Sequence, residues 1–225
     1  MDFGLSFSYI FEDSDWFKKI AIAALVSLIP IVGPFVVAGW GLQVTKNVID
    51  GKLRNALPDL DFGADLGRGF MSFLIGFIYS LPGMIVMGIA VLPFVFADGV
   101  NEEWVRLILI LVGVGLVLIG ILIAILISLL AVIGIANYVA KGRFGAAFNL
   151  KEVFGMLKKS FGSWLLVFLG EILTMSIIAP LGTVVCFIGV FLTTAFAIAV
   201  YSHMIGQAYN QSQPATPVLG KMETL

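Results

Sequence analysis

Trp104–Lys141 reads WVRLILILVGVGLVLIGILIAILISLLAVIGIANYVAK, with no charged residue between Arg106 and Lys141. About 20 apolar residues cross the roughly 30 Å of hydrocarbon in a bilayer. This run exceeds that length. Trp104 and Arg106 stand at one end and Tyr138 and Lys141 at the other, where interfacial anchors belong. The stretch predicts a membrane-spanning helix, and the rest of the chain is read outward from it.

The composition agrees. Hydrophobic residues make up 60% and charged residues 12%, where soluble domains carry about 25% charged residues. Mean hydropathy is +1.08. The 225 residues hold no long polar insert, which leaves room for a single membrane domain over 1–210. The acidic start, MDFGLSFSYIFEDSDW, is the reverse of a positive leader, so the first apolar run is expected to persist as structure. The lone cysteine, Cys186, excludes an internal disulfide and a cysteine-built metal cage.

Residues 1–16 carry Phe3, Phe7, Ile10 and Phe11 near helical spacing, followed by Asp13 and Asp15, which fits an interfacial helix. The next apolar run is broken by Pro30, Gly33 and Pro34. As a helix Phe17–Ile29 covers only about 20 Å, short of the hydrocarbon. This region is therefore one kinked span or a shallow hairpin with its tip at Pro30–Pro34. Gly69–Ala97 is charge-free and is expected to break at Pro82-Gly83. Residues 141–160 form a basic segment in which Phe148, Val153, Phe154 and Leu157 can share one face, again an interfacial helix. Residues 161–210 are apolar apart from Glu171 and His203, with a turn at Pro180–Gly182. The polar tail 211–225 is expected to be disordered.

Lysine and arginine mark the orientation. They cluster at 18–19, 46–68, 141–159 and 221, while the loop 98–106 holds only Arg106 beside three acids. If 17–49 is a hairpin, every basic residue except Arg106 falls on the cytoplasmic side; if it is one span, the N-terminus lies outside. A weak internal repeat favours the hairpin: DSDWF at 13–17, GRGFMSF at 67–73 and KSFGSWL at 159–165 each introduce an apolar arm, a break and a return arm. The expectation is an all-α polytopic protein with six membrane-embedded helices as three hairpins, arms near 17–29, 33–49, 69–97, 104–140, 161–180 and 182–209. Interfacial amphipathic helices accompany them, and both termini are cytoplasmic.

Few residues could carry chemistry. Glu171 is the one acid within a span, and intramembrane acids are costly enough to be functional candidates. The plainer reading is a protonated carboxyl bonded to a neighbouring helix, with Thr174, Tyr79 or Ser128 as its partner. The return arms end in polar groups: Gln43 and Asn47, Asn137, then His203 and Gln207. Pairs four apart share a helix face. If the arms converge, these side chains make a vestibule; ordinary interhelical bonding explains them equally. Asp59, Asp61 and Asp65 are the only acid cluster, and a solvated turn accounts for them better than a bound cation. Lys151, Lys158 and Lys159 suit anionic lipid headgroups. The glycines Gly113, Gly115, Gly120 and Gly134 suit close helix packing. No phosphate-binding loop, nucleophile elbow or zinc-protease helix is present, and the single histidine makes no metal site. No cofactor and no nucleic-acid partner are expected.

One stretch carries a family resemblance. In GWGLQVTKNVIDGKLRNALPDLDFGADLGRGFMSFLIGFIYSLP (39–82), Gly39-Trp40 closes an apolar run. Lys46, Gly51 and Leu57-Pro58-Asp59 follow, then the glycine-rich re-entry Gly67–Gly69 and Tyr79. With DSDW at 13–16 and HMIGQAYNQS at 203–212, this order resembles a prokaryotic multi-pass family known only as domain of unknown function 4013. The resemblance covers the chain to about Asn210. It implies an integral protein of a bacterial or archaeal cell membrane and supplies no activity, ligand or catalytic residue. The functional expectation is a non-enzymatic scaffold or regulatory subunit with a membrane protein partner. The alternative is a small-solute transporter or lipid-handling protein that uses Glu171 and the polar cluster.

Overall fold

The computed structural model describes residues 1–185 and 187–213, all helix, turn and loop, with no strand among them. Its helices are α1 (Leu5–Glu12), α2 (Trp16–Ser27), α3 (Val32–Ile49), α4 (Phe62–Asp98), α5 (Glu103–Lys141), α6 (Leu150–Lys159), α7 (Phe161–Leu173), α8 (Ala179–Leu181) and α9 (Phe187–Ser212). A π-helical turn, Thr174–Ile178, joins α7 to α8, and tight turns occupy Phe144–Phe148 and Gly182–Val185. Four segments are long and apolar enough to cross a membrane: Phe62–Asp98, Glu103–Lys141, Phe161–Val184 and Gly189–Ser212. Cys186 and the tail beyond Gln213 lie outside the described residues, whereas Gln211 and Ser212 still belong to α9.

Proline placement explains the first boundary. A residue before proline is steered out of the helical region, and α2 stops at Ser27, just ahead of Pro30. The chain reverses through Ile31, whose φ of 66° is the only positive φ of a non-glycine residue among those described. Val32 N donates to Pro30 O there. Pro34 sits in the first turn of α3, where its missing N–H breaks no helical bond. Pro82 and Pro93 lie within α4, yet that helix does not break at Pro82-Gly83 as the sequence led us to expect. One proline removes a single hydrogen bond, whereas opening the backbone in an apolar setting strands several polar groups.

Small residues set the close approaches. A methyl on Gly39 would overlap the carbonyl of Asp65, and one on Gly69 would overlap that of Phe35, so α3 and α4 cross with backbones nearly touching. Gly41 meets Ser202 and Gly206 meets Val48 where α3 packs on α9. Between α4 and α5 the antiparallel register is fixed by Gly83 against Ile127, Met87 against Gly120 and Phe94 against Gly113. A methyl on Gly115 would meet only open space.

The main core lies at one end of the molecule. Tyr9, Ile20, Trp40, Val44, Ile133, Val153, Trp164, Val200 and Met204 are buried together there, contributed by α1, α2, α3, α6, α7, α9 and the last third of α5. The other end is different. From residue 81 to residue 126 only Gly83, Ala90, Ala97, Gly113 and Gly120 are buried. Over that length α4 and α5 cover each other's small residues and little else, forming a two-helix arm.

Candidate functional site

His203 on α9 is the hub of the buried polar groups. It is fully buried, with the Tyr9 ring stacked 4.2 Å from its own. Its Nε2 lies 2.8 Å from the carbonyl oxygen of Leu53. That oxygen can only accept, so Nε2 carries the proton and Nδ1 is the acceptor. Ser6 Oγ stands 3.1 Å from Nδ1 and Gln207 Nε2 stands 3.0 Å from it. Gln207, one turn along α9, accepts from Asp2 N at 2.7 Å and donates to Asp2 O at 2.9 Å. Tyr9 Oη donates to Ala199 O. These bonds fasten the N-terminal segment to α9. Ser6 and His203 resemble a nucleophile and its base only in distance: both are 0% exposed, and none of the cavities described below opens on them.

The same end grips the loop between α3 and α4. His203 donates to Leu53 O, Asn47 Nδ2 to Ala56 O at 2.9 Å, Lys19 Nζ to Leu57 O at 3.0 Å and Trp40 Nε1 to Pro58 O at 3.1 Å. Gln43 donates to Asn47 Oδ1, which orients that amide. Lys19 also pairs with Asp13 at 2.7 Å. Partial burial raises the Asp13 carboxyl, but the Lys19 and Asp15 hydrogen bonds outweigh it and leave Asp13 below the usual carboxylate range. Thus the clasp has two parts: His203 and Gln207 hold the N-terminal segment, while His203 and Asn47, the latter oriented by Gln43, take separate carbonyls of the loop after α3.

Asn137 stands apart from that clasp. Its Nδ2 donates to Ala146 O at 2.8 Å and to Glu152 Oε2 at 2.9 Å, and Lys141 is ion-paired with the same carboxylate oxygen. The Lys141 and then the Asn137 hydrogen bonds hold the Glu152 carboxyl below its ordinary range. Glu152 sits in the first turn of α6, capped by Asn149, so this acid ties α6 to the end of α5. Two clefts of about 390 and 380 Å³ flank the pair. Lys151, Lys158 and Lys159 are exposed on α6 and join no ion pair among the described residues, while Val153 and Met156 face inward.

Glu171 is half-buried on α7, and its Oε2 accepts from Tyr201 Oη at 3.2 Å. The crevice it shares with Ser128, Val132, Val167 and Phe168 has no room for a water molecule. None of the three expected partners holds it. Thr174 donates to Gly170 O, Tyr79 to Ala147 O and Ser128 to Ile125 O. Tyr201 could not be chosen from sequence, because the pairing depends on how α7 crosses α9. A larger apolar groove of about 490 Å³ lies between α4 and α5 beside Tyr79, Gly83 and Ala131.

The aspartates serve the backbone. Asp61 accepts from Ala64 N, and Asp65 accepts from Asp61 N at 2.8 Å and pairs with Arg68 at 2.6 Å. This is a reciprocal N-cap of α4. Asp59 is 94% exposed, and no group of three possible metal ligands occurs among the described residues.

No curated protein and no solved structure matches the chain. One family model, described as Protein of unknown function (DUF4013), matches residues 22–194. The match takes in α3 to α8, and with them Gln43, Asn47, Asn137, Glu152 and Glu171, while Ser6, His203 and Gln207 lie beyond it. Over the greater part of its length, then, this chain, whose described residues hold no strand and four helices fit to cross a membrane, belongs to the DUF4013 family.

Proposed function

We propose that this chain is a non-enzymatic integral protein of a prokaryotic cell membrane that scaffolds or regulates a protein partner within the bilayer. The α4–α5 arm carries the reading. As helices of 37 and 39 residues they run about 55 to 60 Å, against a hydrocarbon core of about 30 Å. The charge-free run Leu107–Ala140, about 50 Å long, would need a tilt of roughly 50° to fit, beyond the range of 0 to 40° that spanning helices adopt. A second protein seated along the arm would offset the mismatch, and Leu111, Leu118, Leu122 and Leu126 stand exposed to receive it. Photo-crosslinking from Leu118 in membranes, followed by mild-detergent capture, should return one specific protein. Repeated recovery of the lone chain would count against the scaffold.

In this reading α2 and α3 enter the membrane as a hairpin, giving six embedded helices with both termini cytoplasmic. Its support is that Ser6, ahead of α2, and Leu53, after α3, both bond His203. Lys151, Lys158 and Lys159 then meet anionic headgroups.

A second reading, a small-solute transporter or lipid-handling protein, draws on Glu171. The carboxylate lies just before the π-helical turn Thr174–Ile178, a distortion that often marks functional positions. Glu171→Gln keeps an acceptor for Tyr201 and should leave the fold intact. Transport measured in vesicles would be abolished or uncoupled by that change; unaltered flux would remove Glu171 from the mechanism.

A further inference from the structure

The end of α5 turns over itself in a way the scaffold reading does not use. Gly142, with φ of 64°, closes α5 by donating to Tyr138 O. Arg143 is extended, the Phe144–Phe148 turn folds back, and α6 begins at Leu150. The path leaves a cleft on each side of the Lys141–Glu152 pair. Lys141, Arg143, Ala146 and Asn149 line the first; Asn137, Lys159, Tyr209 and Ser212 line the second.

The charges of the two clefts do not balance. Glu152 is the only acid lining either one. It is already neutralised by Lys141 and hydrogen-bonded by Asn137, which is itself only 1% exposed. That leaves Arg143 in one cleft and Lys159 in the other, neither in an ion pair among the described residues. The side-chain amide nitrogen of Asn149 also makes no hydrogen bond among them, its oxygen capping α6. Each cleft thus offers a cation outside any ion pair among the described residues, beside a Glu152 carboxylate already held by Lys141 and Asn137. Their depth is set by Tyr138, near the end of the apolar run, and by Leu150 and Phe154, exposed on α6. Resting on the membrane reading above, these residues belong at the hydrocarbon boundary, which puts the clefts at the level of lipid phosphates.

We propose that the clefts astride the Lys141–Glu152 pair bind the phosphate headgroups of anionic phospholipids, with Arg143 and Lys159 as the charge partners. The selectivity is for an anionic headgroup, since a zwitterionic one brings an ammonium beside cations that have no spare acid to offer it. Lys151 and Lys158 line neither cleft and supply only diffuse attraction to the surface. The site is independent of any protein seated on the arm, which lies at the opposite end of α4 and α5.

The test uses the full chain in nanodiscs of phosphatidylcholine with a minor share of phosphatidylglycerol, counting retained lipid by native mass spectrometry. Phosphatidylglycerol should be enriched around the wild-type protein. Each substitution, Arg143→Gln or Lys159→Gln, should weaken retention roughly tenfold, as expected for the loss of one hydrogen bond to a charged group. Lys151→Gln with Lys158→Gln should leave most of it. Helical content and thermal unfolding in phosphatidylcholine alone should be unchanged in every variant. Equal losses from both sets of substitutions, or no loss from Arg143→Gln and Lys159→Gln, would overturn the site. So would sn-glycerol 1-phosphate displacing phosphatidylglycerol at matched concentration, which would assign the clefts to a free phosphate. Capture of a partner by the arm should be indifferent to all four changes.

Discussion

His203 shows how a residue that invites a catalytic reading can be structural. Each ring nitrogen already has a protein partner, and Tyr9 covers one face. His203→Phe puts a slightly larger ring with no polar atom in this place, so Leu53 O loses its donor and Ser6 and Gln207, which keep each other and Asp2, lose their shared acceptor. Buried polar groups left without partners cost about 1–3 kcal/mol each. We expect a marked fall in the unfolding temperature in detergent, smaller for His203→Gln, which restores a donor. A melting curve unchanged by His203→Phe would show that the clasp contributes nothing to stability. The sequence named His203, Gln207, Gln43 and Asn47 because polar groups near helix ends stand out in an apolar chain. It could not name Ser6, Asp2 or the Leu53 carbonyl, which are remote along the chain and unremarkable in type.

Among the elements, α4 was half legible. Its apolar span follows from pattern; its start at Phe62, the cap that Asp61 and buried Asp65 make where the sequence suggested a solvated turn, and its continuity through Pro82 do not. The sequence holds a further regularity: Gly69, Gly76, Gly83, Ala90 and Ala97 recur every seven residues. A seven-residue period of small side chains is a close-packed seam between gently supercoiled helices, and Gly69, Gly83, Ala90 and Ala97 are buried in the structure. Gly39→Ala or Gly69→Ala should therefore prevent α3 and α4 from docking, because the new methyl meets backbone that has no side chain to move. Gly67→Ala and Gly115→Ala, with open space around them, should be tolerated. Size-exclusion profiles in detergent would separate the two pairs, and a monodisperse Gly39→Ala protein would refute the crossing.

The α6 tether is the pH-sensitive element. Glu152 has a folded-state pKa below its ordinary value, so its contribution is complete above about pH 4.3. It is lost as pH falls through the lower folded value. A spin label at Lys158→Cys should gain mobility over that fall and should be mobile at every pH when Glu152→Gln is added. Constant mobility in the acidified protein would detach Glu152 from the role of tether.

For the whole molecule, one geometric fact bears on the proposed topology. The N-terminal segment, the loop after α3 and the far end of α9 meet at His203 and Gln207. On the hairpin reading proposed above, all three lie on one side of the membrane and the chain enters and returns between Ser6 and Leu53. A cysteine at exposed Ser8 (Cys186 replaced) and one at exposed Asn55 should give the same response to an impermeant thiol reagent in intact cells. Opposite responses would mean that α2 and α3 act as a single span. Protection of both until lysis would place that side in the cytoplasm, as the distribution of lysine and arginine predicts.

Apolar length, anchors and breaks are local quantities, so the sequence by itself determined that the chain is helical and built for a membrane, and it placed most helices and both amphipathic segments. Family membership was legible for a related reason: the order of short motifs in 39–82 survives without knowledge of contacts. Only the tertiary structure decided which polar groups meet. Five return-arm residues resembled one another in sequence, yet His203 and Gln207 hold the N-terminal segment, Gln43 and Asn47 serve the loop after α3, Asn137 joins Glu152, and Glu171 finds Tyr201. Those choices rest on helix crossings set by a few glycines and on the reversal at Ile31. A crossing angle depends on both helices at once, which no single stretch of sequence records.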